Sequence, residues 1–478
     1  MSSSAFGRNS RGSRSFRSSS VRGTRGLSWR KAEEPEPQIP SPPLGELLIE
    51  LAREDITRHT HDPQIRDCHY VASYSWLDAE DPAVIIPGQP PAWTPPSVNR
   101  RLEPDRGKYF RDPNAARYSS YPMEPAVQAL FKQHTLFPTK DIDIVSCTSA
   151  LGNLSRFVRG VEKDFRIVLV RVGNTVFFTR RENSPTELII NVRGYGHTFL
   201  EEYTSWEKHV KRSESHQRII QYGFGGLLLL VGFETDEYFR GEVKSSDLQL
   251  KESSLVEALG RASVGDVRTR VHKSLHIEKG GQPIAQESIF DIKTRSAFDF
   301  ETRKIKKEID LTDILPRLWI AHIPTLIVGF HDPGLFEDVR IKDIRTKIKE
   351  WEAENAENLC TLASLLHELV ECARTSRTNL GICRRGSRIL EIRRQADDGL
   401  EALPSELKAR WMGKPEDNER TSREDGDPSN SDDGSGAHVV LGVAADIRDH
   451  GTDSGDESVK DYTACSLENC GYCGHCPY

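Results

Sequence analysis

Two segments of the sequence carry acidic residues at a spacing that metal-dependent phosphoryl chemistry uses. One apolar run ends in Glu234 and Asp236, and a second run further along the chain contains Asp291 and Lys293. Apolar runs of this length are typical of buried strands, in which alternate side chains share a face. Glu234 and Asp236 should therefore point to one side of their strand, and Asp291 and Lys293 to one side of theirs.

If the two strands pair, three carboxylates and one ammonium group converge at a sheet edge. Glu234, Asp236 and Asp291 would then bind Mg²⁺ or Mn²⁺, because these ions prefer oxygen ligands. The metal would activate water at a phosphodiester, and Lys293 would orient that water or stabilise charge in the transition state. Such short patterns also arise by chance, so the spacing indicates a site and does not establish one.

The elements around these residues predict a mixed α/β (α+β) fold, with a β-sheet flanked by helices. β-Branched and alternating residues predict strands at 165–172, 175–179, 187–192, 219–222 and 325–330. A helical pattern covers 301–320 with an interruption at Pro316, and an amphipathic helical region covers 341–378, with its apolar stripe in the core. Prolines at 87–96 predict an irregular lead-in that contains Trp76 and Trp93. The order strand, crossover helix, strand favours the mixed sheet.

Composition divides the chain into four parts. Of its 478 residues 36% are hydrophobic and 29% charged, which predicts one sizeable core and long disordered segments. We expect a disordered basic arm at 1–45, a globular domain at 46–410, a disordered acidic linker at 411–460 and a cysteine-rich tail at 461–478. No apolar stretch is long enough to span a membrane, and neither a signal peptide nor a disulfide framework is evident. An intracellular protein of the nucleus or cytoplasm is expected.

The basic arm is rich in arginine, serine and glycine, and its arginines are candidates for RNA binding through phosphate attraction and stacking on bases. A solubilising or targeting role remains an alternative. The candidate residues are Arg8, Arg11, Arg14, Arg17, Arg22 and Arg25.

The tail places four cysteines within a dozen residues. Four thiolates held by glycine turns can reach one tetrahedral Zn²⁺, although the two CxxC steps share a cysteine and make a single cage tight. An iron–sulfur cluster, a zinc site completed by another chain, or a redox-active or unligated tail remains open. The residues are Cys465, Cys470, Cys473 and Cys476.

Three blocks of the sequence resemble those of the DXO-type messenger-RNA decapping nucleases. Residues 232–236 are similar to that family's GxExD block, 290–294 to its ExKT block and 323–330 to its VPxxxxGF block. The resemblance covers about residues 140–345. It implies a PD-(D/E)XK nuclease-like core that uses a divalent metal to remove faulty 5′ ends and degrade RNA from the 5′ side.

The chain departs from this family at several site positions. Arg180 stands where an acid is expected, with Glu182 two residues later as a candidate catalytic substitute, and Thr148 stands where an arginine is expected. The family's glutamine on the crossover helix falls near Arg317 or His322. The acid of ExK is the shorter Asp291.

The whole chain also resembles uncharacterised filamentous-fungal proteins that often carry the label geranylgeranyl pyrophosphate synthetase. Such synthases need two aspartate-rich motifs that face each other, and here only Asp397 and Asp398 approach one motif. The strand-rich middle of the chain also disfavours the label.

Two functions remain open. The first is a metal-dependent 5′-end phosphohydrolase or exonuclease acting on RNA. The second is a catalytically inactive protein of the same fold that binds RNA or a protein partner. The position of Glu182 discriminates between them: a carboxylate beside the other acids restores a fourth acid, whereas Arg180 in that space would compete with a metal.

Overall fold

The computed structural model describes residues 43–56, 63–106, 109–189, 194–235, 237–240, 274–298, 308–386, 388–396 and 400–413. The described residues belong to one compact unit of the chain. Several predicted features lie outside the described residues: Asp236, the pair Asp397 and Asp398, the arginines of the basic arm, the acidic linker from residue 414 onward, and the four tail cysteines. The first three residues of the predicted linker, 411–413, are described, and Trp411 is the last residue of a helix.

Strands dominate the described part of the chain. They are Leu47–Ala52 (β1), Arg66–Leu77 (β2), Ala83–Ile86 (β3), Ala92–Trp93 (β4), Tyr109–Phe110 (β5), Ile144–Cys147 (β6), Phe165–Val172 (β7), Thr175–Arg181 (β8), Leu188–Ile189 (β9), Thr204–Ser205 (β10), Ser213–Phe224 (β11), Leu227–Glu234 (β12), Glu237–Tyr238 (β13), His276–Lys279 (β14), Ile289–Ser296 (β15), Thr325–Asp332 (β16), Leu335–Asp343 (β17), Leu380–Arg384 (β18) and Ile389–Arg394 (β19).

The helices are Pro113–Arg117 (α1), Glu124–Gln133 (α2), Thr148–Val158 (α3), Gly196–Tyr203 (α4), Leu315–Ala321 (α5), Arg345–Glu354 (α6), Ala356–Thr375 (α7) and Ser405–Trp411 (α8). None of the described helices is long and apolar enough to cross a membrane.

The larger sheet contains eleven strands in the order β1-β19-β18-β7-β8-β6-β12-β11-β2-β3-β14. Most neighbouring pairs are antiparallel, but β6 runs parallel to both β8 and β12. A second sheet has the order β10-β4-β13-β15-β16-β17, with β15 parallel to β16. The mixed α+β class with sheets flanked by helices is therefore confirmed.

Central strands of the larger sheet are buried on both faces, which explains why they read as continuous apolar runs. On β8, Val176 and Phe178 pack into the core beneath α3, α5 and α7, while Phe177 packs on the opposite side against Trp411 of α8. On the second sheet, α4 covers an aromatic cluster. There Gly329 allows close packing, because a Cβ atom at this position would lie about 3.0 Å from the rings of Phe199 and Phe336 and would require these rings to shift.

The two acidic strands do not pair with each other. β12, which ends in Glu234, belongs to the larger sheet, and β15, which carries Asp291 and Lys293, belongs to the second sheet. The chain links the sheets directly after Glu234, because Glu237 of β13 pairs with Phe290 of β15. Convergence of the two strand ends therefore comes from this crossing between sheets rather than from a shared ladder.

Three predictions about single elements were wrong. Residues 308–314 are not helical: Asp310 accepts a hydrogen bond from the backbone N–H of Thr312 in a local turn. Pro316 lies in the first turn of α5, which begins at Leu315, and proline suits a first helical turn. The region 341–378 starts in β17 and divides into α6 and α7 at Asn355. Trp76 is buried in the twelve-residue strand β2 and not in an irregular lead-in.

Candidate functional site

Asp291 lies at the centre of an ion cluster that joins β15 to α5. Its carboxylate is 1% exposed. The Nζ atom of Lys293 lies 2.9 Å from Oδ2, and Nη2 of Arg317 lies 3.3 Å from Oδ1. Lys293 reaches Asp291 because residues two apart on a strand share a face. One nearly buried carboxylate therefore contacts two cations, one on each oxygen.

Glu234 extends from the end of β12 into an adjacent cavity, where its side chain is exposed to the water that the cavity admits. The protein around the cavity reduces the hydration of this carboxylate, and the loss of hydration raises the pKa of Glu234 from its ordinary value. The charges of Arg117 and Arg317 act in the opposite direction. Arg317 thus acts on both Glu234 and Asp291, the two described acids among the three predicted metal ligands.

The cavity has a volume of about 300 Å³ and one strongly basic side. Five arginines line it, against three acids: Asp112, Glu234 and Asp313. Burial lowers the pKa of Arg159 and raises that of Asp313, so neither charge is well solvated there. The lining arginines are Arg111, Arg156, Arg159, Arg180 and Arg317. An anion bound in the cavity would be stabilised by these guanidinium groups.

Carboxylates outside the cavity wall hold several of these arginines in place. Arg111 donates to Glu187 at 2.9 Å, and Arg317 contacts Asp291 as described above. The guanidinium of Arg180 pairs with Glu182. Such contacts fix the orientation of long flexible side chains, which reduces the conformational entropy lost when a ligand binds.

An apolar wall is also part of the cavity lining. Tyr74, Met123, Leu130, Ile219, Leu230 and Trp411 contribute to it. An apolar wall and a group of guanidinium donors in one cavity match a ligand with one flat apolar part and one anionic part. The volume lies at the lower end of the range of small-molecule sites, which is about 300–1,000 Å³.

Arg180 lines the cavity, whereas Glu182 does not. Burial raises the pKa of Glu182, and the charges that act on it belong to Arg180, Arg111 and Glu187 rather than to the other predicted acids. Of the two arrangements distinguished from the sequence, the structure has the one in which the arginine faces the cavity. Thr148 lines the cavity from the first turn of α3.

The described residues do not form a complete metal site. No group of three histidine, cysteine, aspartate or glutamate side chains within the described ranges is arranged to hold an ion. Both oxygens of Asp291 face cations. The charge of this carboxylate is therefore already balanced by side chains of the chain itself.

A family described as a domain of unknown function (DUF8563) matches residues 59–410, which is most of the chain. The chain belongs to this family. No curated protein matches the sequence.

Solved structures of Rai1 proteins resemble the chain distantly, as the motif blocks predicted. Scheffersomyces stipitis Rai1 in complex with (3'-NADP)+ and calcium ion is 11% identical, covering 77% of this chain and 100% of its own, at a TM-score of 0.49. S. pombe Rai1 in complex with 3'-FADP is 12% identical, covering 73% of this chain and 100% of its own, at a TM-score of 0.48. Candida albicans Rai1 in complex with pU5-Mn2+ is 11% identical, covering 79% of this chain and 99% of its own, at a TM-score of 0.45. No activity follows from such values, and what the site can do depends on its own residues.

The sequence drew attention to Arg180 and Arg317 but not to Arg111, Arg156 and Arg159. Arg156 lies in the last turn of α3, and Arg159 is the residue that caps the end of this helix, three positions later. That spacing was a weak signal for a basic helix face. Nothing local to Arg111 connects it with α3, because the chain between them folds back through α2 and β6.

The ion cluster yields a stability prediction. Replacing Lys293 with Met removes one of two cations from a nearly buried carboxylate, and breaking a buried ion pair on one side costs about 3–5 kcal/mol. We expect Lys293→Met to lower the free energy of unfolding by about 3 kcal/mol in urea titrations. Adding Asp291→Asn should restore part of this loss, because the uncompensated charge is then absent. Strictly additive losses in the double variant would contradict the cluster.

Proposed function

We propose that the chain binds the phosphorylated 5′ end of an RNA in the arginine-lined cavity and does so without a metal ion. The observation that supports this most directly is that five arginines and an apolar wall line one cavity of about 300 Å³. Guanidinium groups bind phosphate through paired, charge-assisted hydrogen bonds. The apolar wall offers a surface for the terminal base, since every base has an apolar face that stacks independently of sequence.

RNA is the proposed ligand because of the motif blocks that resemble decapping nucleases. In this proposal the arm that carries Arg8 to Arg25 adds sequence-independent attraction to the phosphate backbone. A nuclease-like fold that retains the substrate-binding cavity and not the metal site would recognise 5′ ends without cleaving them. The arrangement around Asp291, with a cation on each oxygen, supports binding over hydrolysis.

Fluorescence anisotropy with matched RNAs tests this proposal. In EDTA, the full chain should bind a 5′-monophosphate or 5′-triphosphate RNA about tenfold more tightly than the same RNA with a 5′-hydroxyl, a factor that corresponds to one good charge-assisted contact. Arg180→Gln and Arg156→Gln should each reduce this preference. Arg374→Gln is the matched control, because Arg374 pairs with Asp143 and does not line the cavity.

Equal affinity for phosphate and hydroxyl ends would rule out the proposed ligand. Deleting residues 1–45 should weaken binding of all the RNAs by a similar factor and leave the preference for a phosphate unchanged. Affinity that depends on the arm alone would assign RNA binding to the arm and not to the cavity.

Metal-dependent hydrolysis is the second candidate. Two observations support it. Arg317 acts on both Glu234 and Asp291, which places these two acids near each other, and Lys293 lies 2.9 Å from the Asp291 carboxylate. A divalent metal held by Glu234, Asp236 and Asp291 would supply an activated water. The ammonium group of Lys293 would orient that water by a hydrogen bond.

Incubation of capped, 5′-triphosphate and 5′-monophosphate RNA with the full chain and Mn²⁺ separates the two candidates. The binding proposal predicts that no product is released above the level of an Asp236→Ala, Asp291→Ala double variant. Product that disappears in the double variant would establish hydrolysis and identify its site in one comparison.

A further inference from the structure

Arg317 occupies a position where a divalent cation would be expected to balance two carboxylates. Its guanidinium contacts Oδ1 of Asp291 at 3.3 Å and contributes to the electrostatic environment of Glu234. Lys293 contacts the other oxygen of Asp291 at 2.9 Å. Two of the acids predicted to bind a metal, Glu234 and Asp291, therefore share a cation that belongs to the chain itself.

The charge of this arrangement opposes metal binding. A divalent ion placed beside Asp291 would lie within a few ångströms of two monovalent cations, and like charges repel strongly at such distances where water is largely excluded. The carboxylate is 1% exposed, so shielding by solvent is weak on that side. A metal can gain Asp291 only by displacing a side chain that is already in contact with it.

The residue type strengthens this opposition. Arginine stays protonated at all physiological pH values, so no change of pH neutralises the competing cation. Its side chain is about one third exposed, at the cavity wall. It starts from α5, a helix that packs against α3 and α6, and its backbone is therefore held within the core. The positive charge that competes with a metal is therefore permanent, and the backbone that carries it is held in place.

We propose that Arg317 is an internal counter-cation that takes the place of a divalent metal between Glu234 and Asp291 and thereby keeps the site free of metal. The inference extends the proposed metal-independent binding function, and it concerns a single residue of this chain. It assigns the difference between a metal-loaded site and a metal-free site to one guanidinium group. Removing that group should uncover a divalent-cation site.

The test is a Mn²⁺ titration of the full chain without RNA, with free Mn²⁺ followed by electron paramagnetic resonance. The wild-type chain should show no Mn²⁺ binding that depends on Asp291. Arg317→Gln should bind one Mn²⁺ with an affinity higher by roughly tenfold or more, because one repelling charge at close range is gone. The Arg317→Gln, Asp291→Asn double variant should lose that binding.

Two further variants isolate the cause. Arg317→Lys keeps the positive charge and should bind Mn²⁺ as weakly as the wild type. Arg374→Gln removes an arginine that pairs with Asp143 and does not line the cavity, so it should also behave like the wild type. Thermal unfolding of each variant verifies that it is folded.

Either of two results would overturn the inference. One is Mn²⁺ binding by the wild-type chain that Asp291→Asn abolishes, and this result is decisive even if Arg317→Gln does not fold. The other is a folded Arg317→Gln chain that binds no more Mn²⁺ than the wild type. Because no RNA is present, both results are independent of the 5′-end preference, so failure of this inference and failure of the binding proposal can be told apart.

Discussion

The buried carboxylate of Asp291 is the constraint around which the site is built. An ionised carboxylate with 1% exposure requires nearby positive charge, because its loss of hydration would otherwise cost several kcal/mol. Lys293 supplies one cation from the same strand and Arg317 supplies another from α5. The second contact ties the second sheet to a helix that packs against α3, so the ion cluster also sets the position of one cavity wall.

The cavity combines two features that have separate physical origins. Its basic side comes from α3, from the end of β8 and from α5, with carboxylates outside the wall holding several guanidinium groups. Its apolar side includes Trp411, which also packs against the larger sheet. A ligand with a charged end and a flat apolar part would satisfy both sides, whereas inorganic phosphate would use only one. A nucleotide end is for this reason a better match than a free anion.

Local patterns predicted those parts of the structure that depend on local physics. β7 has the predicted bounds because both of its faces are buried, and the contact between Asp291 and Lys293 follows from the two-residue period of a strand. The division into two sheets could not be read in this way, since it depends on a crossing after Glu234. Arg111 is a similar case. Only tertiary packing brings Arg111 into the same cavity as Arg156 and Arg159, and no spacing in the sequence predicts this proximity.

A crystal structure of the full chain with a short 5′-phosphorylated RNA, grown in EDTA, tests the central claim most directly. The account predicts that the terminal phosphate contacts arginines of the cavity, that the first base lies on the apolar wall, and that Arg317 remains in contact with Asp291. A terminal phosphate bound elsewhere, or an Arg317 side chain turned away from Asp291 towards the ligand, would contradict it.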